Sequence, residues 1–153
     1  GYNFQPIELQ AAFGLVQLRR LPEFTERRMH NYDALSDYFR TYKDQFVLPV
    51  QEADVKTNWL AFPLTIKQNS PFSRVNITRY LEEQDIQTRP IFTGNILRQP
   101  GFQSVCTGFE RQEFPVADDI MKNSFLIGCH QGISEEQRAY MLSHIDRYIR
   151  TNS

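Results

Sequence analysis

Three histidines, His30, His130 and His144, are the side chains suited to proton transfer near neutral pH, because imidazole titrates there without help. His30 and His144 fall within helical patterns, where packing or a surface position accounts for them. His130 closes an apolar run in Gly128-Cys129-His130-Gln131-Gly132, at a strand end from which a side chain can reach a site. Cys106 and Cys129 form no CxxC pair, and no second cluster stands at zinc-ligand spacing, so no metal site is expected. The two read as free thiols of a reducing compartment. Neither a G-x-S-x-G nucleophile turn nor a Gly-rich phosphate loop after a strand is present in the sequence. The densest polar group is instead Thr88, Arg89, Thr93, Asn95, Arg98 and Gln99. Arginine offers a planar fork of donors that matches phosphate or carboxylate, and Asn and Gln amides can read sugar hydroxyls or base edges. Two readings of this group are open. It is a local anion site, or Arg89 and Arg98 pair on the surface with carboxylates such as Glu82, Glu83 or Glu110.

Those side chains must be held by a folded body, and the composition supplies one. The chain has 153 residues, 41% of them hydrophobic, with 12 Phe and 7 Tyr, enough apolar area for a single core. Seventeen basic residues against eighteen acidic ones leave a formal charge of -1, so no overall field draws in nucleic acid or an anionic membrane surface. No run approaches the ~20 apolar residues of a membrane-spanning helix, and no signal peptide is recognisable. The expectation is a cytoplasmic protein, and the immediate start on an amphipathic pattern reads as a segment trimmed from a longer chain.

The elements follow from periodicity. From Pro6 onward a helix is predicted, with Leu9, Ala12, Phe13 and Val16 on one apolar stripe and Ile7, Ala11, Leu15 and Leu18 on another beside it. A helix apolar over so much of its circumference needs burial from more than one side, which implies a partner surface. Pro22 is expected to break or kink this helix at Leu21, with a second helix carrying Leu35, Tyr38, Phe39 and Tyr42. Phe46 to Val50 and Trp59 to Ile66 read as strands, the second with Leu60, Phe62, Leu64 and Ile66 on one side. Ser73 can cap a short helix through Ile77, Tyr80 and Leu81. Ile86 to Phe92 reads as a third strand, which Pro90 confines to an edge. Gly94 to Gly108 is irregular. Asp118 to Ser124 reads as a short helix and Phe125 to Cys129 as a strand. Ser134 with Gln137 forms a capping box opening a last helix with Met141, Leu142, Ile145, Tyr148 and Ile149 inward. Without a regular βαβ repeat the fold class is α+β, a small sheet covered by helices. The division is a helical connector over 1–45 and a small α+β domain over 46–153.

Several strings together carry a resemblance. Gly1-Tyr2-Asn3, Leu9-Gln10-Ala11-Ala12-Phe13-Gly14-Leu15, Gln17-Leu18 and Leu21-Pro22-Glu23-Phe24 resemble the segment that follows the cofactor-lysine region in the DegT/DnrJ/EryC1/StrS sugar aminotransferase family. Thr88-Arg89-Pro90-Ile91-Phe92-Thr93-Gly94-Asn95-Ile96-Leu97-Arg98-Gln99-Pro100 is similar to a stretch of its nucleotide-sugar C3 dehydrase branch. The likeness continues through Asn58-Trp59, Phe62 and Phe125-Leu126-Ile127-Gly128 to Gly132-Ile133-Ser134-Glu135-Glu136.

The resemblance implies the small C-terminal domain of a fold-type-I enzyme dependent on pyridoxal or pyridoxamine 5'-phosphate. That cofactor serves as electron sink for a nucleotide-linked 4-keto-6-deoxy sugar in deoxysugar or lipopolysaccharide biosynthesis. It implies a homodimer in which Asn3 contacts the cofactor phosphate of the neighbouring subunit; the bland alternative makes Asn3 a helix cap. Arg89, Asn95, Arg98 and Gln99 would line the nucleotide-sugar pocket, and the absent large domain of the same chain would cover the apolar helix. The family's basic residue two after the Asn is Gln5 here, and its usual Met-Thr-Asp is Pro6-Ile7-Glu8. Neither the Schiff-base Lys of an aminotransferase nor the His that replaces it in a dehydrase can be assigned in this sequence. Hence no catalytic residue is expected within it, and no cofactor on the chain alone. A non-catalytic nucleotide-sugar binding or subunit-interaction module is the competing reading.

Overall fold

The computed structural model describes residues 7–92, 94–102, 104–109 and 112–152. Helix α1 spans Glu8–Phe39 and is followed by a 3-10 turn over Arg40–Tyr42 and by strands β1 (Phe46–Val47) and β2 (Ala61–Ile66). Helix α2 (Arg74–Glu83), strand β3 (Thr88–Pro90) and two 3-10 turns (Ile96–Arg98, Pro100–Phe102) come next. Helix α3 (Pro115–Asn123), strand β4 (Ser124–Gly128) and helix α4 (Glu135–Asn152) complete the chain. The expected α+β class holds. The four strands form one antiparallel sheet in the order β1-β2-β4-β3, so β4 inserts between β2 and β3, whose connection runs through α2.

Register decides what each sheet face carries. Phe62 lies opposite Ile127 and Leu64 opposite Phe125, and all four are at most 1% exposed. Directly paired residues share a face, so this row is the core face. Leu35 and Phe39 of α1, Ile77 and Leu81 of α2, and Met141, Ile145, Tyr148 and Ile149 of α4 close over it. The alternate row places Pro63 opposite Leu126, and Leu126 opposite Arg89; these residues are only partly buried or exposed. None of the core side chains comes from α3, which touches β2 and β4.

The local stop and start signals are realised. The Ser73 hydroxyl accepts from the Asn76 N–H at 3.3 Å and opens α2. Ser134 Oγ accepts from the Gln137 N–H at 3.2 Å, and Gln137 Oε1 from the Ser134 N–H at 3.0 Å. The expected edge position of β3 is also found.

Of the break or kink expected at Pro22, the break is not found: α1 is a single helix of 32 residues with Pro22 inside it. Proline removes one donor to the carbonyl four residues back. That residue, Leu18, is 64% exposed, so water is at hand for the orphaned carbonyl. Arg20, Glu23 and Arg27 pair across the same turn at 3.6 and 3.1 Å. The strands are shorter than the apolar runs suggested, two residues instead of five for β1 and three instead of seven for β3. Leu60 precedes β2 and is 68% exposed, so the inward row begins at Phe62.

The two halves of α1 do different things. Leu9, Phe13, Leu15, Val16 and Leu18 are half or more exposed, whereas Tyr32, Leu35 and Phe39 are core. Tyr32 stacks on Trp59 with ring centroids 4.3 Å apart and planes 9° from parallel. One buried polar residue fixes this half to the rest: Asn31, 3% exposed, donates from Nδ2 to the His130 carbonyl at 3.0 Å and accepts at Oδ1 from Arg138 Nη1 at 2.6 Å. Arg28 Nε donates to Gln131 Oε1 at 2.8 Å one turn earlier. Removing the amide strands a carbonyl and part of a guanidinium. Asn31→Leu is therefore expected to cost about 2 kcal/mol of stability, read as a lower urea midpoint with the slope unchanged.

Candidate functional site

The loop after β3 is built on α3. Pro115 occupies the first turn of α3, and Asp118 also lies in that turn. Its carboxylate grips the loop at two residues. Oδ1 accepts from Asn95 Nδ2 at 2.8 Å and from Arg98 Nε at 3.0 Å, while Oδ2 accepts from Arg98 Nη2 at 2.9 Å. Asn95 Oδ1 in turn accepts the Leu97 N–H at 3.0 Å, capping the 3-10 turn of Ile96–Arg98. Asn95 is only 5% exposed. Gly94 precedes it with φ +61°, and a Cβ there would lie 2.3 Å from Met121 Cβ, so both backbone conformation and close approach to α3 require glycine. Phe92, also in the left-handed region at φ +42°, projects almost fully into solvent.

Of the expected site residues the structure thus brings Asn95 and Arg98 together, with Gln99 closing the 3-10 turn through its N–H to the Ile96 carbonyl at 3.0 Å. Arg89 stands apart on β3. Among the described residues it makes no ion pair, and it reaches Glu82 only through its field. Glu82 is already committed: its Oε1 accepts the Thr88 N–H at 2.6 Å and the Thr88 hydroxyl at 2.7 Å, which together hold its carboxyl below the usual range. The Arg89 side chain lines a groove of about 690 Å³ with Gln87, Leu126, Gly128, His130 and Tyr140. On its other side is a smaller hollow of about 350 Å³ shared with Arg74 and Arg79. Asn3 and Thr93 lie outside the described residues.

The histidines are absorbed by local contacts. His130 Nδ1 accepts the Gly132 N–H at 3.1 Å, leaving Nε2 as the protonated nitrogen of a neutral ring. His144 is nearly buried, with Nδ1 3.2 Å from the Tyr80 hydroxyl. His30 Nε2 lies 3.5 Å from Arg138 Nη2. Among the described residues no three His, Cys, Asp or Glu side chains converge as a metal site would require, and no helix is long and apolar enough to cross a membrane. Burial pushes the Cys129 thiol up to about 12, far from the thiolate that reactivity needs.

Sequence reasoning missed Asp118. Surface pairing with a carboxylate is what Arg98 does, but its bidentate partner stands 20 residues on and is not among Glu82, Glu83 or Glu110, the examples the sequence suggests for Arg89 and Arg98, of which Glu110 lies outside the described residues. The only sequence signal for Asp118 is an acid in the first turn of a short helix, which the helix dipole alone would justify.

The chain matches the model of the DegT/DnrJ/EryC1/StrS aminotransferase family over residues 1–146. It is 34% identical to the lipopolysaccharide biosynthesis protein RfbH of Salmonella typhimurium, across 99% of this chain and 35% of that protein. It is 31% identical to the GDP-4-keto-6-deoxy-D-mannose 3-dehydratase of Yersinia pseudotuberculosis, across 90% of this chain and 34% of that one. Among solved structures, a GDP-4-keto-6-deoxymannose-3-dehydratase with a trapped PLP-glutamate geminal diamine superposes with a TM-score of 0.72 at 29% identity, covering 94% of this chain and 36% of that chain. An aminotransferase from Psychrobacter cryohalolentis shares the fold with a TM-score of 0.85 at 21% identity, covering 99% and 41%. The chain belongs to the DegT/DnrJ/EryC1/StrS aminotransferase family. It spans about a third of the length of the curated relatives it matches.

The arginine and amide clamp holds the Asp118 carboxyl below its ordinary value, from 3.8 down to about 2, first by the Arg98 hydrogen bonds and then by Asn95. Its folded-state value lies below the unfolded one, so its stabilisation is complete above 3.8 and is lost as pH falls through about 2. The melting-temperature gap between the natural protein and Asp118→Ala should be constant from neutral pH down to the ordinary carboxylate range and shrink only below it. A gap that does not shrink at all below that range would place the carboxylate outside the clamp.

Proposed function

We propose that this chain is the C-terminal part of a pyridoxal- or pyridoxamine-phosphate-dependent nucleotide-sugar enzyme, a 4-keto-6-deoxyhexose C3 dehydrase or a sugar aminotransferase of deoxysugar or lipopolysaccharide biosynthesis. The observation that carries the reading is Arg89: a guanidinium without an ion pair among the described residues, on the open row of the sheet, in a chain of this family. A diphosphate suits such a group because it accepts two parallel hydrogen bonds from one guanidinium plane. In this reading Arg89, Asn95, Arg98 and Gln99 line the nucleotide-sugar pocket of the whole enzyme. Asn3 meets the cofactor phosphate of the neighbouring subunit in a cytoplasmic homodimer. Residues 1–45 form the connector and 46–153 the small domain, and the exposed stripe of Leu9, Phe13 and Val16 is covered by the large domain.

The chain has four lysines. Lys67 Nζ is spent on the Lys43 carbonyl at 2.6 Å, Lys56 lies beside Leu18 and Leu21 along α1, and Lys122 ends α3. None of them lines the groove that Arg89 borders. This supports a division of labour in which the large domain supplies the cofactor's covalent or acid-base partner and this part supplies substrate contacts.

Two measurements test the reading. The chain alone, mixed with pyridoxal phosphate and dialysed, should keep no aldimine absorbance and convert no nucleotide sugar; retained absorbance would show a cofactor site within it. In the full-length protein, Arg89→Ala should raise KM for a GDP- or dTDP-linked 4-keto-6-deoxyhexose by about tenfold or more, the worth of a charge-assisted hydrogen bond. Arg89→Lys should recover only part, since an ammonium lacks the planar fork. An unchanged KM in Arg89→Ala removes it from the pocket.

A further inference from the structure

We infer that Asp118 is a positioning residue for the nucleotide-sugar pocket, holding Asn95 and Arg98 in the one arrangement that presents a fixed donor edge to the ligand. The inference rests on the proposed pocket and adds to it a residue from a different element. Asp118 spends both carboxylate oxygens on the loop, and those bonds tie Ile96–Arg98 to α3. Arg98 gives up Nε and one Nη2 hydrogen to that carboxylate. Its remaining donors are the two Nη1 hydrogens and the second Nη2 hydrogen. These form the outer edge of the guanidinium plane, pointed away from Asp118 on a side chain 61% exposed. A phosphate or sugar oxygen would meet that edge. Its direction is set by the carboxylate behind it. Asn95, buried and bonded at both ends of its amide, acts as the fastener of the loop.

This arrangement separates two physical effects that ordinarily run together. Asp118 brings a negative charge near an anionic ligand, so on charge alone its removal strengthens nucleotide binding. As a positioning group its removal weakens binding, because Arg98 and the loop lose their fixed orientation. The sign of the change therefore identifies the role.

The test uses the full-length protein, with GDP and dTDP as binding probes and the corresponding 4-keto-6-deoxyhexose nucleotides as substrates. Asp118→Ala should weaken nucleotide binding about tenfold and raise KM correspondingly, with kcat carrying the smaller share of the loss. Asp118→Asn, which retains shape and one acceptor, should lie between Asp118→Ala and the natural protein. In the Arg98→Ala background the further loss from Asp118→Ala should be smaller than in the natural protein, because the part of its effect that runs through Arg98 is already gone and only its hold on Asn95 remains. Tighter binding in Asp118→Ala, or a lower melting temperature with unchanged affinity, overturns the positioning role while leaving the pocket in place. If Arg98→Ala and Asn95→Ala themselves leave affinity and KM unchanged, the pocket reading fails and this inference fails with it.

Discussion

Phe62 and Leu64 of β2, set against Phe125 and Ile127 of β4, form the apolar layer on which everything else in this chain rests. Three helices spend their apolar faces covering it. Side chains alternate along a strand, so the pairing that buries this row turns Pro63, Leu126 and Arg89 to the opposite side. The exposed guanidinium is thus a consequence of core packing. A slip of β3 by one residue would carry Arg89 toward the core and Thr88 outward, and the cost of burying an unpaired charge forbids it. Glu82 secures the same register from α2 through the Thr88 N–H and hydroxyl.

Helix α1 carries that constraint outward. Its second half is part of the core, locked by the Tyr32–Trp59 stack and the Asn31 amide, and its first half exposes a broad apolar stripe. Because Pro22 does not interrupt the helix, the two halves belong to one continuous helix that carries the stripe out from the core. A contiguous apolar surface of this kind marks an interaction site in soluble proteins. It suits a chain that spans a third of its relatives' length.

What was legible in the sequence was local or periodic. Ser73 and the Ser134–Gln137 box act within three residues of themselves, and the inward positions of β2, β4 and α4 repeat at the period of their element. Strand ends were not legible, because they depend on how long a partner is available: β1 stops at Val47 although Leu48 to Val50 continue the apolar run. No break occurs at Pro22 because part of proline's cost in a helix is an orphaned carbonyl, and at an exposed turn water removes much of that part. At the candidate site the residue types could be read and their relations could not. Asn95 and Arg98 are recognisable as donors from sequence, but nothing in their spacing announces that one carboxylate on α3 would engage both.

Arg89 and Arg98 carry the same formal charge and yet offer a ligand different things. At Arg98 the Asp118 carboxylate offsets the guanidinium charge and leaves its outer N–H groups oriented, a combination suited to reading where an oxygen is more than how charged it is. At Arg89 the Glu82 carboxylate, which feels its charge, has one oxygen engaged by Thr88 and makes no ion pair with it, so the guanidinium keeps its fork. In the proposed pocket, a ligand that is anionic at one end and hydroxylated at the other would match such a pair better than two free arginines. Two uncompensated cations on one small surface would bind any polyanion. Compensating one of them trades affinity for orientation.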